Sequence, residues 1–432
     1  MTFPALLLLL ALAACGGGPQ PGATAAAPAG LRSAPPDSAV ATGAQRLVDT
    51  DFAALDGMTV GLVTNHTARV GTDDGGPAHL IDRFLTAPNV TLGALFGPEH
   101  GIRGTAEAGA AVEGGAEDDV PVYSLYGSNK KPTQRQLRDL DALVFDMQDV
   151  GARFYTYIST MGYAMQAAAE AGIPFVVLDR PNPIGDRAEG AILERRHESF
   201  VGLYPVPVTH GLTVGELARM IAAESWLRGL DGLDLRVVEL EGYRRAMPWE
   251  ATGLDWVPPS PNVPDVETAR VYPGTALFEG TTASEGRGTR VPFTHVGAAY
   301  VDADALAATL NDRALPGVRF EPATFTPVDL PGQATDPKGE GQELGGVRLV
   351  VTDPAAFRPL ATGVHVVEAV YRQAPPRSRR SFFKADWLAK LSGSTALHRA
   401  LVRGDDPANI VAGWEAEAAA FATRAERYRL YD

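Results

Sequence analysis

Short apolar runs alternate with segments of helical spacing through the first half of the chain. The apolar runs predict strands over residues 58–65, 90–96, 142–151 and 174–183. The helical spacing predicts helices over residues 78–86, 135–141 and 156–172, and Gly172 ends the longest of them. Because strands that alternate with helices are typical of a parallel sheet covered on both faces, we expect an α/β fold here.

Polar side chains stand at the carboxyl ends of four predicted strands. They are Asn65, Glu99, Asp146 and Asp179. In open parallel sheets the ligand crevice lies beyond these strand ends. The pattern therefore predicts that several strands place polar or charged side chains at one edge of the sheet, the edge formed by the carboxyl ends of the strands, which is called the rim below.

The pattern changes after "WVPPSPNVP", at residues 256–264. A glycine-rich stretch follows, then mixed signals that include a predicted strand at 346–353 and a predicted terminal helix at 408–428. We place a domain boundary near Pro264, which divides the body into residues 44–266 and 267–432. The second domain is predicted to be α+β and smaller than the first.

The N-terminus has the pattern of an export signal. The apolar run at residues 3–14 is too short to span a bilayer and fits the core of a secretory signal. Leu12-Ala13-Ala14-Cys15 is similar to a bacterial lipobox, which predicts lipidation of Cys15, a signal at residues 1–15 and a membrane-anchored lipoprotein facing the periplasm or cell exterior. A plain cleaved signal with a chance cysteine is the alternative. Residues 16–43 are rich in Gly, Ala and Pro and predict a flexible tether.

Composition and missing motifs exclude several classes of protein. The net charge of -14 argues against a general nucleic-acid binder. Cys15 is the single cysteine, so the exported chain would have neither disulfides nor a catalytic thiolate. A dinucleotide fingerprint after the first strand, a P-loop, an HExxH zinc motif and a G-x-S-x-G elbow are all lacking. We therefore expect no cofactor.

Carboxylates in rigid loops are the strongest candidates for chemistry. Glu99 lies in "PEHG", between a proline and a glycine, and Glu285 lies in "SEGRGT". Paired carboxylates suit glycoside cleavage, and they also suit a divalent metal. For Glu285 a solvated loop glutamate is the alternative.

Other polar residues near the rim have structural alternatives as well. Asp149 and Arg153 have the spacing of a helix-start ion pair. Asp179 precedes Arg180 and a proline, and an aspartate in this position often accepts hydrogen bonds from the backbone of a turn. His210 and Tyr155 are equally compatible with packing in the core.

Seven blocks of the sequence carry a family resemblance. They are "LFGPEHGIRG", "PVYSLYG…KPT", "LVFDMQDVGARFYTYISTM", "VVLDRPNPIG", "SFVGLYPVPVTHGLTVGELA", "WVPPSPNVP" and "YPGTALFEGTTASEGRGT". In these blocks the chain resembles the NamZ family of exo-β-N-acetylmuramidases. Gly97 stands where the family usually has serine, and "TNHTA" replaces the commoner "TNQTG".

The resemblance implies a fold and a reaction. The expected fold is a Rossmann-like N-terminal domain with a smaller α+β domain against it. The expected reaction is removal of terminal N-acetylmuramic acid (MurNAc) from the non-reducing end of peptidoglycan fragments. The family's two motif glutamates fall on Glu99 and Glu285, of which Glu99 is the candidate general acid/base.

The resemblance also implies a set of substrate-binding residues. Arg103 or Arg153 would pair with the lactyl carboxylate of MurNAc, since arginine meets carboxylates in a bidentate manner. The full set expected to bind substrate is Asn65, His100, Arg103, Asp146, Asp149, Arg153, Tyr155, Asp179, Arg180, His210, Asn262 and Arg287.

Two other functions remain open from the sequence. One is a non-catalytic lipoprotein that binds the cell wall on the same scaffold. The other is a metal-dependent hydrolase that uses Asp146, Asp149 and His210. Within the glycosidase hypothesis, retaining, inverting and substrate-assisted mechanisms are all compatible with the residues.

Overall fold

The computed structural model describes residues 39–72, 76–104 and 114–432. The predicted signal, Cys15 and the predicted tether up to residue 38 lie outside the described residues. The described residues form one compact unit. Among the helices of the described residues, none is both long enough and apolar enough to cross a membrane.

A seven-stranded sheet organises the first half of the described chain. Its elements and their neighbours are α1 (Gly43–Asp49), β1 (Thr59–Thr64), β2 (Arg69–Gly71), β3 (Pro77–His79), α2 (Leu80–Thr86), β4 (Thr91–Gly97), β5 (Gly115–Glu117), β6 (Val120–Ser124), α3 (Gln134–Leu137), β7 (Ala142–Asp146), α4 (Tyr157–Ala171), β8 (Phe175–Leu178), β9 (Ala188–Glu189), β10 (Thr209–His210), α5 (Val214–Ala223) and β11 (Leu235–Val238). The sheet order is β11-β8-β7-β1-β4-β6-β5, and all neighbours are parallel except β5 and β6. The predicted α/β class with a parallel sheet is confirmed.

The second half contains a three-stranded antiparallel sheet and several helices. Its elements are α6 (Val266–Thr275), β12 (His295–Ala298), α7 (Ala303–Asp312), β13 (Val318–Phe325), β14 (Leu344–Val351), α8 (Pro359–Gln373), α9 (Pro376–Arg379), α10 (Ala385–Ser392), α11 (Ala396–Arg403) and α12 (Pro407–Ala425). The strand order is β12-β14-β13. This half has the α+β character that the sequence predicts.

The central strands are shorter than the apolar runs suggest. All residues of β7 and β8 are buried, as expected for strands covered on both faces. However, β7 ends at Asp146 and β8 at Leu178, whereas the sequence predicted strands to residues 151 and 183. The remaining residues of each run form the loops that leave the sheet toward the rim, where Asp146 and Asp179 stand as predicted.

Two hydrophobic cores cover the two faces of the sheet. One packs α1 and α2 against it and includes Leu47 and Phe84. The other continues from the sheet into the second half and includes Phe145, Phe293 and Phe421. Because this core is continuous, the two halves are held together over a large apolar surface.

The folded body begins before residue 44. Val40 is 2% exposed, and its N–H donates to the carbonyl of Thr252 at 2.8 Å. The hydroxyl of Thr42 caps α1, and the N–H of Gly43 donates to the carbonyl of Asp179 at 2.9 Å. These contacts correct the predicted end of the tether at residue 43, because residues 40–43 pack on the body. A single buried valine in a Gly/Ala/Pro context gave no sequence signal for this.

Residues 428–432 pack against the first half of the chain. The hydroxyl of Tyr431 donates to Asp179 at 2.6 Å. The N–H of Leu430 donates to Glu216 at 2.9 Å, and the carbonyl of Asp432 accepts from the N–H of Arg245 at 2.9 Å. The last residues of the chain therefore satisfy buried polar groups beside the parallel sheet.

Candidate active site

An open cleft of about 670 Å³ is lined by residues from both halves of the chain. Loops that follow β4 and β7 form one side. The glycine-rich loop before β12 and the helix α10 form the other. Six of the residues predicted from the sequence line this cleft: Glu99, His100, Tyr155, Asn262, Glu285 and Arg287.

The loop after β4 turns sharply to present Glu99. His100 and Gly101 both have positive φ angles, 71° and 72°, and the N–H of Gly101 donates to the carbonyl of Pro98 at 3.0 Å. A left-handed conformation is uncommon for a residue other than glycine, so His100 is held there by its surroundings. The backbone around Glu99 is thereby fixed at the rim.

Gly104 allows the same loop to pack on a neighbouring segment. A Cβ at this position would lie 2.0 Å from the Nδ1 atom of His66, so a larger residue does not fit. The Nε2 atom of His66 in turn lies 2.6 Å from the carbonyl oxygen of Pro258. The glutamate loop is therefore braced against the "WVPPSPNVP" segment.

Two hydroxyl groups contact the Glu99 carboxylate. The Oγ1 atom of Thr156, at the start of α4, donates to Oε2 at 2.6 Å. The phenol of Tyr126 is a second hydrogen-bond partner, and burial together with the Glu99 charge raises the pKa of Tyr126 well above its ordinary value. Tyr126 therefore stays protonated and can donate to the carboxylate.

Glu285 belongs to a charged group on the opposite side of the cleft. The ammonium of Lys338 lies 2.8 Å from its Oε2 atom, and Nε of Arg287 lies 3.8 Å from Oε1. Arg287 also pairs with Glu279 at 2.8 Å. Burial alone would lower the pKa of Arg287, but the charges of Glu279 and Glu285 outweigh it and raise that pKa above its ordinary value. Glu285 is thus held rigidly by cations.

Aromatic rings cover much of the cleft surface. Tyr272 makes edge contacts with Tyr155, Phe154 and Phe293 at ring-centroid distances of 6.1, 5.4 and 4.8 Å. Phe200 lies on the other side, 5.9 Å from the Tyr126 ring. Flat apolar surfaces beside fixed carboxyl groups suit the faces and hydroxyls of a sugar ring.

Three predicted substrate ligands at the rim instead bind other protein groups. Arg180 forms a bidentate ion pair with Asp146, with N–O distances of 2.5 and 2.9 Å. Asn65 accepts from the hydroxyl of Thr67 at 2.6 Å and donates to the hydroxyl of Tyr157 at 2.8 Å. These side chains are buried and do not line the cleft, which corrects the expectation that they contact substrate. They fix the loops that carry the cleft residues.

Asp179 is a buried acceptor for four donors. It accepts from the N–H groups of Arg180 and Gly215 and from the hydroxyls of Thr213 and Tyr431, at 2.6–2.9 Å. Burial raises its pKa to about 6, although the hydrogen bonds oppose the shift. Asp179 also lies outside the cleft, so its predicted contact with substrate is corrected to a structural one.

The two arginines expected to meet the lactyl carboxylate do not line the cleft. Arg153 is fully buried and donates to the carbonyls of Ala191, Val206 and Leu391 at 2.7–2.9 Å, and burial lowers its pKa to about 9. It makes no ion pair with Asp149. Arg103 is exposed and lies 2.7 Å from a carboxylate oxygen of Glu117. The burial of Arg153 contradicts its predicted contact with the lactyl carboxylate, whereas the contact predicted for Arg103 stays a prediction.

Asp149 and His210 face each other in the interior. Oδ2 of Asp149 lies 4.0 Å from Nε2 of His210, and both residues lie outside the cleft, which corrects their predicted contact with substrate. Burial raises the pKa of Asp149 to about 7 and lowers that of His210 to about 4. Within residues 39–72, 76–104 and 114–432, no group of three or more His, Cys, Asp and Glu side chains could hold a metal ion. The metal-dependent hypothesis for Asp146, Asp149 and His210 therefore has no geometric support.

Sequence reasoning missed several residues at the cleft. Thr156 and Glu279 lie inside the quoted motifs, so their proximity to the predicted residues was a usable signal. Lys338 had no such signal, because it lies 53 residues from Glu285 along the chain. Lys130 stands in a polar loop and Lys390 in an amphipathic helix, and neither context predicted a place in the cleft.

Two family models match consecutive parts of the chain from residue 60 to residue 431. The model described as exo-beta-N-acetylmuramidase NamZ, N-terminal, matches residues 60–267. The model described as exo-beta-N-acetylmuramidase NamZ, C-terminal, matches residues 270–431. Together they cover the parallel sheet, the antiparallel sheet and every residue of the cleft described above.

Individual proteins are also similar to this chain. The peptidoglycan beta-N-acetylmuramidase NamZ of Bacillus subtilis (strain 168) is 43% identical over 395 residues, which is 91% of each chain. Crystal structures of two DUF1343 family proteins from Bacteroides fragilis NCTC 9343 have the same fold. One has a TM-score of 0.83 and 35% identity, covering 92% of this chain and all of that one. The other has a TM-score of 0.75 and 30% identity, covering 91% and 99% of the two chains.

Proposed function

We propose, from the premise that this chain belongs to the NamZ family of exo-β-N-acetylmuramidases, that it removes MurNAc from the non-reducing ends of peptidoglycan fragments. It is a glycoside hydrolase. The observation that carries the proposal is that Glu99 and Glu285, from different halves of the chain, line one cleft. Two carboxyl groups flanking a sugar-sized cleft suit hydrolysis of a glycosidic bond.

Glu99 is the proposed general acid/base. Its carboxyl group is positioned by the hydroxyls of Thr156 and Tyr126, on a loop whose backbone is fixed. Such positioning matters because a catalytic group loses much of its rate advantage when it is displaced by a fraction of an ångström. Protonation of the leaving oxygen by Glu99 would let the glycosidic bond break without expelling an alkoxide.

Glu285 is the proposed second carboxylate. Its oxygens lie near Lys338 and Arg287, which hold the group in a fixed position on the far side of the cleft. From there it can accept hydrogen bonds from sugar hydroxyls or stabilise positive charge that develops on the ring in the transition state.

Digestion of the disaccharide MurNAc-GlcNAc, followed by mass spectrometry, tests the reaction. We expect free MurNAc and free GlcNAc, and unchanged rates in EDTA. The inverted disaccharide GlcNAc-MurNAc is the matched control, because its non-reducing sugar lacks the lactyl group, and it should remain intact. Binding of MurNAc-GlcNAc without cleavage would instead support the non-catalytic cell-wall-binding hypothesis.

We also propose that the protein is exported and anchored to a membrane by a lipid on Cys15. The support is the sequence: an apolar run of signal length ends at a lipobox-like tetrapeptide, and a Gly/Ala/Pro segment follows it. Peptidoglycan lies outside the cytoplasm, so the proposed substrate and the proposed location agree.

A further inference from the structure

Two lysines line the cleft, one from each half of the chain. The ammonium of Lys130 lies 4.6 Å from the centroid of the Phe200 ring, and that of Lys390 lies 5.5 Å from the centroid of the Trp387 ring. Within the part of the chain that the structure describes, the lysines in ion pairs are Lys131 and Lys338. Lys130 and Lys390 therefore stand over aromatic rings that position their charges without neutralising them.

Other cations near the cleft already bind protein groups. Arg287 and Lys338 hold the glutamates on the far side of the cleft. Arg103 pairs with Glu117, and Arg153 is buried against three carbonyls. Among the described lysines and arginines that line the cleft, Lys130 and Lys390 are thus the two that have no ion pair with a carboxylate.

The charges of the cleft show why such a cation is needed. Glu279 and Glu285 are balanced by Arg287 and Lys338, so these groups alone give an anion no net attraction. MurNAc differs from GlcNAc by a lactyl ether that ends in a carboxylate, which is ionised at neutral pH. A site that selects MurNAc therefore has to supply a further positive charge at the lactyl group.

We propose that Lys390 binds the lactyl carboxylate of the substrate and so determines selectivity for MurNAc. The proposal rests on the proposed function, since it names a contact made by that substrate in the same cleft. An ammonium on a flexible stem suits a carboxylate whose position varies with rotation of the lactyl ether.

Burial and rigidity favour Lys390 over Lys130. Lys390 is half-buried, whereas Lys130 is exposed, and an ion pair is screened less by water and salt where it is less exposed. Lys390 lies in α10, and the carbonyl of the next residue, Leu391, accepts from Arg153 at 2.9 Å. Arg153 therefore fixes the helix that carries Lys390, while Lys130 lies in the loop before α3.

The test compares two substrates, the para-nitrophenyl β-glycoside of MurNAc and the same glycoside with its lactyl carboxylate methylated. Lys390→Met keeps the length of the side chain and removes its charge. We expect kcat/KM for the acid to fall about 10- to 100-fold, since charge-assisted hydrogen bonds are worth that much. The methyl ester, which has no charge to pair, should change less than about threefold.

Three further variants make the result specific. Lys390→Arg keeps the charge and should restore most of the activity on the acid. Lys130→Met should have a smaller effect than Lys390→Met. Lys131→Met is the matched control outside the cleft, where the lysine pairs with Glu170, and it should match the parent. A variant of Lys390 that loses activity equally on acid and ester, or a larger loss in Lys130→Met, would overturn the assignment.

The same assay separates this proposal from the proposed function. A parent protein that hydrolyses neither glycoside contradicts the glycosidase itself. A parent that hydrolyses acid and ester equally well leaves the glycosidase standing and removes the role of Lys390.

Discussion

Asp149→Asn should change how the stability of the protein depends on pH. Asp149 is buried, and its Oδ2 atom accepts from the N–H of Gly151 at 2.6 Å, while Oδ1 has no hydrogen-bond partner among the described residues. Burial raises the pKa of the carboxyl group from 3.8 to about 7 in the folded protein, although backbone N–H groups oppose the shift. Asparagine can accept the same hydrogen bond and carries no charge at any pH.

The sign follows from comparing the folded and unfolded states. The unfolded chain releases the Asp149 proton near pH 3.8, whereas the folded protein keeps it to about pH 7. The raised pKa therefore contributes stability that is fully present below pH 3.8 and is lost as the pH rises through 7. A difference of about three pH units corresponds to about 4 kcal/mol. Relative to the parent, Asp149→Asn should gain about that much free energy of unfolding between pH 4 and pH 8.

Urea unfolding at pH 4 and pH 8 measures this difference directly. The control is Asp139→Asn, which changes an exposed carboxylate, and its difference from the parent should be small at both pH values. If Asp149→Asn differs from the parent by the same amount at pH 4 and pH 8, Asp149 does not titrate between them and the reasoning is wrong.

Three other perturbations test the site, the boundary and the anchor. Glu99→Gln should lower kcat by about 10²- to 10⁴-fold with little change in melting temperature, and a nitrophenyl glycoside should lose less activity than MurNAc-GlcNAc because its leaving group needs less protonation. Near-parental cleavage of the disaccharide would remove Glu99 from the chemistry. A chain that begins at residue 45 should be less stable than one that begins at 39 by about 2–5 kcal/mol, because it loses buried Val40 and the Thr42 cap; equal urea midpoints would contradict the packing of this segment. Cys15→Ala should release the protein from the membrane fraction or stall its processing, and normal processing with retention in that fraction would contradict lipidation.

The sequence predicted the sheet and the position of Glu99 at the end of a strand because both depend on local pattern. Apolar runs determine the buried strands, and the proline and glycines around Glu99 determine its turn within a few residues. These interactions are short in sequence and leave a visible signature.

Contacts between distant segments left no such signature. Arg153 donates to the carbonyl of Leu391, 238 residues later in the chain, and this contact takes it out of the cleft. Lys338 reaches Glu285 across 53 residues. A charged residue beside a motif can bind a ligand, form an internal ion pair or donate to backbone carbonyls. Tertiary packing decides which of these it does.

The packing of residues 428–432 on the first half has a consequence for biosynthesis. Translation runs from the N-terminus, so Asp179 and Glu216 are made long before Tyr431 and Leu430, which complete their hydrogen bonds. The parallel sheet can collapse early, but two buried carboxylates beside it each lack one donor until residues 430 and 431 are made. The other partners of Asp179 and Glu216 are already made by then, so only this last step of packing waits for residues 430 and 431. A late final packing step suits the export that we propose, because a polypeptide has to pass through a translocation channel before it folds.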